Sequence, residues 1–191
     1  SMEVVERPDL WGFRLDATEA MGGMRDGPTA RFAGRLILLL GPESALVVDR
    51  AVLHRYGRLE SRLHSPADVT FGHARADVMG RTASLHLRFA ADVDASLHHA
   101  IDAPTTPGPI LHMLRWCTDR LVQAGTLVTL ISRHPDATVS IEGGKEEGPR
   151  IIHVTVDGSE RSVKIDRDLQ ILSNDEATPY PASRPRRRHL P

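Results

Sequence analysis

The feature that most constrains the fold of this chain is a two-residue alternation of apolar and polar side chains, repeated in short runs between turn signals. In residues 84–90, Leu85, Leu87 and Phe89 point one way and Ser84, His86 and Arg88 the other. That period belongs to a strand with one face on a core and the other toward water or a ligand. Residues 56–64 set Leu59, Ser61 and Leu63 against Arg58, Glu60, Arg62 and His64, and residues 150–157 set Ile152, Val154 and Val156 against Ile151, His153 and Thr155. Residues 36–40 and 45–49 are two apolar runs joined across Gly41-Pro42, and 126–131, 138–142 and 162–165 add further strands. Gly143-Gly144 and Asp157-Gly158 suit hairpin turns. Many short strands with turns between them predict a mostly β protein, an antiparallel β-sandwich.

Two stretches break this pattern. In residues 109–124, Ile110, Leu111, Leu114, Cys117 and Leu121 recur at helical spacing, which predicts a short helix or irregular insertion. From Asn174 onward the chain is rich in Pro and Arg and poor in apolar residues. The expected organisation is a single β-sandwich domain over 1–173 and a disordered basic tail over 174–191. The arginines from Arg184 to Arg188 would attract anions by simple charge, although a solvated terminal run is the commoner meaning. No internal repeat suggests a solenoid or propeller.

Charge and cysteine content exclude several classes. The 24 Lys and Arg balance 25 Asp and Glu, so the electrostatic footprint of a nucleic-acid binder is missing. The single cysteine, Cys117, can form neither an intrachain disulfide nor a cysteine zinc site. The longest apolar run, residues 36–40, is far short of the ~20 residues of a membrane-spanning helix, so no membrane partner is expected. No signal-peptide pattern opens the chain, and the compartment stays open. Phosphate-binding glycine loops, a nucleophile elbow and a helical zinc-binding His pair are absent from the sequence.

The candidate ligand-binding residues are Arg58, Arg62, His64, His86, Arg88 and His153, all on the polar sides of alternating strands. Guanidinium groups recognise carboxylate and sulfate bidentately, as an acidic polysaccharide would require. Glu60 among them also fits an ordinary mixed-charge surface. The chain has ten histidines. Were His64, His86 and His153 to converge, three imidazoles would suit zinc. Their wide separation in sequence matches no dedicated metal motif, so no metal or other cofactor is expected, and solvated surface histidines are the commoner meaning. His98 and His99 are neighbours on a strand and point to opposite faces. Trp116 reads as core; Trp11 is open between core and sugar platform.

The order of features from Trp11 to Pro135, about two thirds of the chain, resembles the C-terminal β-sandwich of heparinase II/III-like polysaccharide lyases. Trp11-Gly12-Phe13, Asp26-Gly27, residues 35–40 led by Arg35, and Leu46-Val47-Val48-Asp49-Arg50 look like that family's Trp/Phe strand, turn, Arg-led hydrophobic strand and valine-valine-aspartate strand. Residues 58–66, ending in Leu63-His64-Ser65-Pro66, resemble the strand that closes in an apolar residue and His. Residues 111–115 with 124–131 resemble the late segment that ends in a buried threonine-leucine strand.

The resemblance implies β-elimination on acidic polysaccharides, in which a cation neutralises the uronate, a base takes the C5 proton and an acid protonates the leaving oxygen. In such lyases an α-helical toroid supplies a Tyr and a His, and the start of the β-domain supplies another His and a structural zinc site. This sequence has neither a toroid nor an early strand containing His-x-Asp, so no catalytic residue or zinc ligand carries over. Tyr56, in an expected turn, and Tyr180, in the expected tail, are poorly placed for chemistry. The leading expectation is a non-catalytic β-sandwich domain of such a lyase, inactive alone, that packs on an N-terminal helical toroid of its parent chain and lines part of a cleft for acidic polysaccharide. It carries the further expectation of an exposed apolar patch where the partner domain would sit. The alternative is a stand-alone module, monomeric or homodimeric, that binds anionic glycans without cleaving them. A third class is a small metal-dependent enzyme built on the three histidines.

Overall fold

In the computed structural model the described residues are 1–7, 10–23, 27–102, 110–143 and 148–176, and they are almost entirely antiparallel strand. An eight-stranded sheet forms the middle of the protein. In spatial order it contains β1 (Met2–Arg7), β2 (Leu10–Asp16), β5 (Ala30–Leu39), β6 (Ser44–Gly57), β13 (Val122–Ser132), β10 (Ser84–Ala91), β9 (Arg75–Met79) and β8 (Asp68–Phe71). A three-stranded sheet has β12 (Leu111–Thr118) between β11 (Ala95–Asp102) and β7 (Glu60–Ser65). A four-stranded sheet runs β14 (Thr138–Gly143), β15 (Arg150–Val156), β16 (Ser159–Ile165), β17 (Ile171–Glu176). The short strands β3 (Gly22–Gly23) and β4 (Gly27–Pro28) pair with each other, after a single 3-10 turn at Glu19–Met21.

The expected sandwich is present, and its central sheet is covered on both faces. Strand β13 shows why. Residues 125–130 are all buried, because alternate side chains enter different cores. Val128 and Leu130 join Leu36, Leu38, Leu46 and Val48 against Ile152, Val154, Val163 and Ile165 of the four-stranded sheet. Leu127 points the other way, joining Leu87 and Phe89 against Leu97, Leu114 and Trp116 of the three-stranded sheet. A strand apolar on both sides is the mark of a middle layer. The β5–β6 hairpin turns through Gly41, as Gly41-Pro42 predicts, and residues 36–39 and 45–48 pair in register.

Hairpin β15–β16 closes through Asp157 and Gly158, with φ of 50° and 73°. Two positive φ angles in a two-residue loop match the right-handed twist of the flanking strands. A Cβ at Gly158 would meet nothing within 4 Å, so the cost of Gly158→Ala is backbone strain alone. That substitution should lower stability by about 1 kcal/mol in urea melts; an unchanged midpoint would mean that the turn relaxes freely.

Three sequence expectations require correction. The helix expected in residues 109–124 is absent: Leu111–Thr118 is β12, and residues 122–124 already belong to β13. The helical spacing was illusory because β12 is buried from both sides toward its end. Leu114 and Trp116 face the core, while Cys117, on the other face, is also covered, at 3% exposure. Tyr56, expected in a turn, lies near the end of β6. At the C-terminus, β17 continues to Glu176 and pairs with β16, so residues 174–176 are strand rather than tail. The rest of the expected tail, 177–191, lies outside the described residues.

Between the central and four-stranded sheets lies a charged cluster. Asp92 accepts from Arg150 Nε at 2.6 Å and from the Thr126 backbone N–H at 2.6 Å. Arg50 Nη1 is 4.0 Å from the same carboxylate and donates to Thr126 Oγ1, while its Nε donates to the Arg167 carbonyl. The Arg50 side chain is fully buried. Burial, followed by the neighbouring Arg150 charge, pulls the Arg50 guanidinium pKa below its ordinary value.

Candidate functional site

The three-stranded sheet buries one face against the central sheet, and the other carries the exposed Arg62, His64 and His98. On the exposed face the strand register sets His98 opposite Arg115 and Arg115 opposite Arg62, a row of nitrogen bases across β11, β12 and β7. The next row toward one end is Ala100, Met113 and His64; toward the other it is Ser96, Cys117 and Glu60. Arg58 continues the β7 alternation and donates to the Asp119 carbonyl at the sheet margin. Adjacent strands lie ~4.8 Å apart, so the row forms a compact basic strip.

Glu60 organises the strip. Both of its oxygens accept from Arg115, Nε at 2.9 Å and Nη2 at 2.7 Å, and Arg62 Nε bonds the same carboxylate. The Arg115 hydrogen bond is the main force lowering the Glu60 pKa; burial opposes it, and Arg62 adds to it, leaving the carboxyl at about 2. A carboxylate with a depressed folded-state pKa contributes stability above its unfolded value and loses it as pH falls. For Glu60 that window runs from about 4.5 down to about 2. Glu60→Gln should therefore be less stable than the parent at neutral pH, with the gap closing through that window in urea melts at stepped pH. A gap that stays constant down to acid would show that the ion pairs do not stabilise the sheet.

The sequence-derived candidates are only partly brought together. Arg58, Arg62 and His64 share the strip. His86 and Arg88 lie on β10 of the central sheet and face the side of the four-stranded layer, where both contact Asp77: His86 Nδ1 is 2.8 Å and Arg88 Nη1 3.2 Å from Oδ1. Burial raises the Asp77 pKa, and these two partners outweigh it, so the carboxyl ends below its ordinary value. Arg88 also donates to the Pro135 carbonyl. His153 sits on β15 in the four-stranded sheet, 3.7 Å from Glu142. The three histidines proposed for a metal site thus occupy three different sheets, and no group of three potential ligands gathers among the described residues.

Arg115 and His98 belong to the strip but escaped the sequence reading, Arg115 because its segment read as helix. His98 and His99 do point oppositely: His99 turns inward, stacks on His112 with a 2.9 Å contact between ring nitrogens, and lies against Phe71.

A second surface lies on the same side of the central sheet as the three-stranded layer, beyond that layer's edge. Trp11, 45% exposed, packs edge-on to Phe13 with ring centroids 5.1 Å apart, and pairs across the ladder with Leu39, 42% exposed. Met2 and Val4 on β1 extend this apolar surface. Trp11 therefore lies at the surface rather than in the core. Between it and β7, a groove of about 510 Å³ has Ala33, Ala51, Leu53 and Leu59 on its floor and the Arg35–Asp49 pair at its side.

No protein-family profile matches this sequence, and no curated protein does. Solved structures do share the fold. The heparan sulfate lyase HepC of Pedobacter heparinus superposes with a TM-score of 0.60 at 13% identity, over 87% of this chain and 28% of the lyase. A heparinase III gives a TM-score of 0.60 at 11% identity, over 87% of this chain and 27% of its own. Another heparinase III gives 0.59 at 10%, over 87% and 28%. The fold is therefore heparinase-like, and the chain spans little more than a quarter of the length of these enzymes.

Proposed function

We propose that this chain is a non-catalytic β-sandwich domain of a heparinase-like polysaccharide lyase and that its basic strip lines part of a cleft for acidic polysaccharide. The observation that carries this reading is the in-register placement of Arg62 and Arg115, with Arg58 at the end of the same strip, around a single strip carboxylate. Guanidinium forks beside one another on a rigid sheet suit carboxylate or sulfate groups repeated along a polymer. The fold likeness supports the enzyme class. The exposed apolar face around Trp11 and Leu39 supports docking on a further domain of a longer parent chain, the expected helical toroid.

The test is titration with heparan sulfate oligosaccharides, run alongside an assay for the ultraviolet-absorbing unsaturated uronate that β-elimination leaves. The chain alone should bind and yield no product. Arg62→Ala/Arg115→Ala should weaken binding at least about tenfold, the loss of roughly 1.4 kcal/mol of charged contacts. Equal binding by the variant, or none by the parent, overturns the assignment of the strip. Unsaturated product overturns the non-catalytic role.

A further inference from the structure

We infer that the free edge of β7 and the groove beside it take an extended strand of a partner polypeptide, which completes the three-stranded layer of the sandwich. The inference is independent of the glycan-binding reading. The central sheet has eight strands and the layer on this face only three, with β7 as an outermost member. The groove borders β7 on the side away from β12: Arg58, Leu59 and Glu60 form one wall, and Leu15 and Ala17 the other. Arg35 of β5 donates to Ser61 Oγ at 3.4 Å, so the β7 edge lies above the β5–β6 pair.

Two observations specify the occupant. The first is the phase of the β7–β12 ladder. The Leu59 carbonyl accepts from the Thr118 N–H, and the hydrogen-bonded positions of an antiparallel pair recur at every second residue, here Ser61 and Leu63. The N–H and C=O groups of Glu60 and Arg62 therefore point away from β12, to the side where no described strand pairs with β7. The second is the floor. Ala33, Ala51 and Leu53 lie there, whereas the part of the same face that the layer covers carries Leu87 and Phe89. Protein interiors are close-packed, so small floor residues under about 510 Å³ of open groove leave depth for large side chains arriving from above.

A strand laid beside β7, ~4.8 Å away, is fixed in phase by these two features. Its residues opposite Glu60 and Arg62 hydrogen-bond to β7 and share their side-chain face, the outer polar one. Its alternate residues turn toward the alanine floor and are apolar. The rim charges are engaged within the protein: Arg35 by both oxygens of Asp49, Glu60 by Arg115 and Arg62, and Arg58 by the Asp119 carbonyl. The partner is therefore a strand that alternates neutral polar with large apolar residues, added to the sheet edge. A second copy of this chain does not fit. Antiparallel pairing of two β7 strands relates the copies by an axis normal to the layer, which puts both central sheets on the same side. Each would then run into β5, β2 and β1 of the other, which extend beyond β6 on that side.

The probe is a short synthetic peptide of alternating threonine and leucine, blocked at both ends and labelled for fluorescence anisotropy with the full chain. Bound as inferred, its threonine amides face β7 and its leucine amides face away. N-methylation of the threonine amides should weaken binding at least about tenfold, because each lost hydrogen bond contributes about three- to tenfold. N-methylation of the leucine amides should change affinity by about twofold or less. Ala17→Trp, at an exposed position on the groove wall, should fill the groove and also weaken binding, with circular dichroism matching the parent. No binding of the unmethylated peptide overturns the inference. So does threonine methylation that costs no more than leucine methylation, or parental affinity in a folded Ala17→Trp. None of these outcomes bears on the heparan sulfate titration, which tests the basic strip by itself.

Discussion

Asp92→Ala should cost about 3–5 kcal/mol of stability, the largest loss expected from removing one charged group in this protein. Asp92 is 7% exposed, and two guanidinium groups depend on it: Arg150 at 2.6 Å and Arg50 at 4.0 Å, with side-chain exposures of 4% and 0%. Its removal leaves two cations facing each other in a space sealed between sheets, with the Thr126 backbone N–H stripped of its acceptor. For a domain of this size each kcal/mol moves the melting temperature by about 2–4 °C, so a drop of roughly 10 °C is expected in calorimetry. Asp92→Asn keeps an acceptor for Thr126 and should fall between the two. A loss under about 1 kcal/mol for the alanine variant would mean that water reaches the cluster and that it does not join the layers.

Sequence periodicity revealed the antiparallel β class and the buried face of the alternating strands, but not which sheet each strand joins. In residues 84–90 and 150–156 the alternation correctly separates buried Leu87, Phe89, Ile152 and Val154 from the polar face. It cannot say that His86 and His153 lie in different sheets, because a period of two specifies a face and carries no information about the partner strand. Arg58, Arg62 and His64 were legible as a group because they share one strand and its approach. Arg115 and His98 join them only through the β7–β12–β11 register, a long-range pairing. Burial of Cys117 on the outer face disguised β12 as a helix. Arg50 offered a clue that went unread: it alternates in phase with buried Leu46 and Val48, so its side chain had to enter the core, while its partners come from sequence positions far away.

Trp116→Ala should cost a similar 3–5 kcal/mol, but its effect should be concentrated in one layer. Trp116 is 3% exposed on the middle strand of the three-stranded sheet. Its ring centroid lies 5.4 Å from that of Phe89 on the central sheet, and its indole N–H donates to the Ala90 carbonyl at 3.3 Å. Deleting it opens a cavity at the contact that seats this sheet, whose other core anchors are Leu97 and Leu114. The four-stranded layer packs on the opposite face through a separate core and has no share in that contact. Amide exchange should therefore accelerate first in β7, β11 and β12 and last in β6 and β13. If the strip binds polyanion as proposed, that affinity should fall as well, although no cation is removed, because Arg115 and Trp116 are adjacent on one strand and the Arg62–Arg115–His98 row exists only while that sheet holds its register. Trp116→Phe, which keeps an aromatic ring against Phe89 but loses the N–H donor, should retain most of both properties. Uniform loss of protection across all three sheets would show instead that the layers unfold as one unit, and that the basic strip is as rigid as the core beneath it.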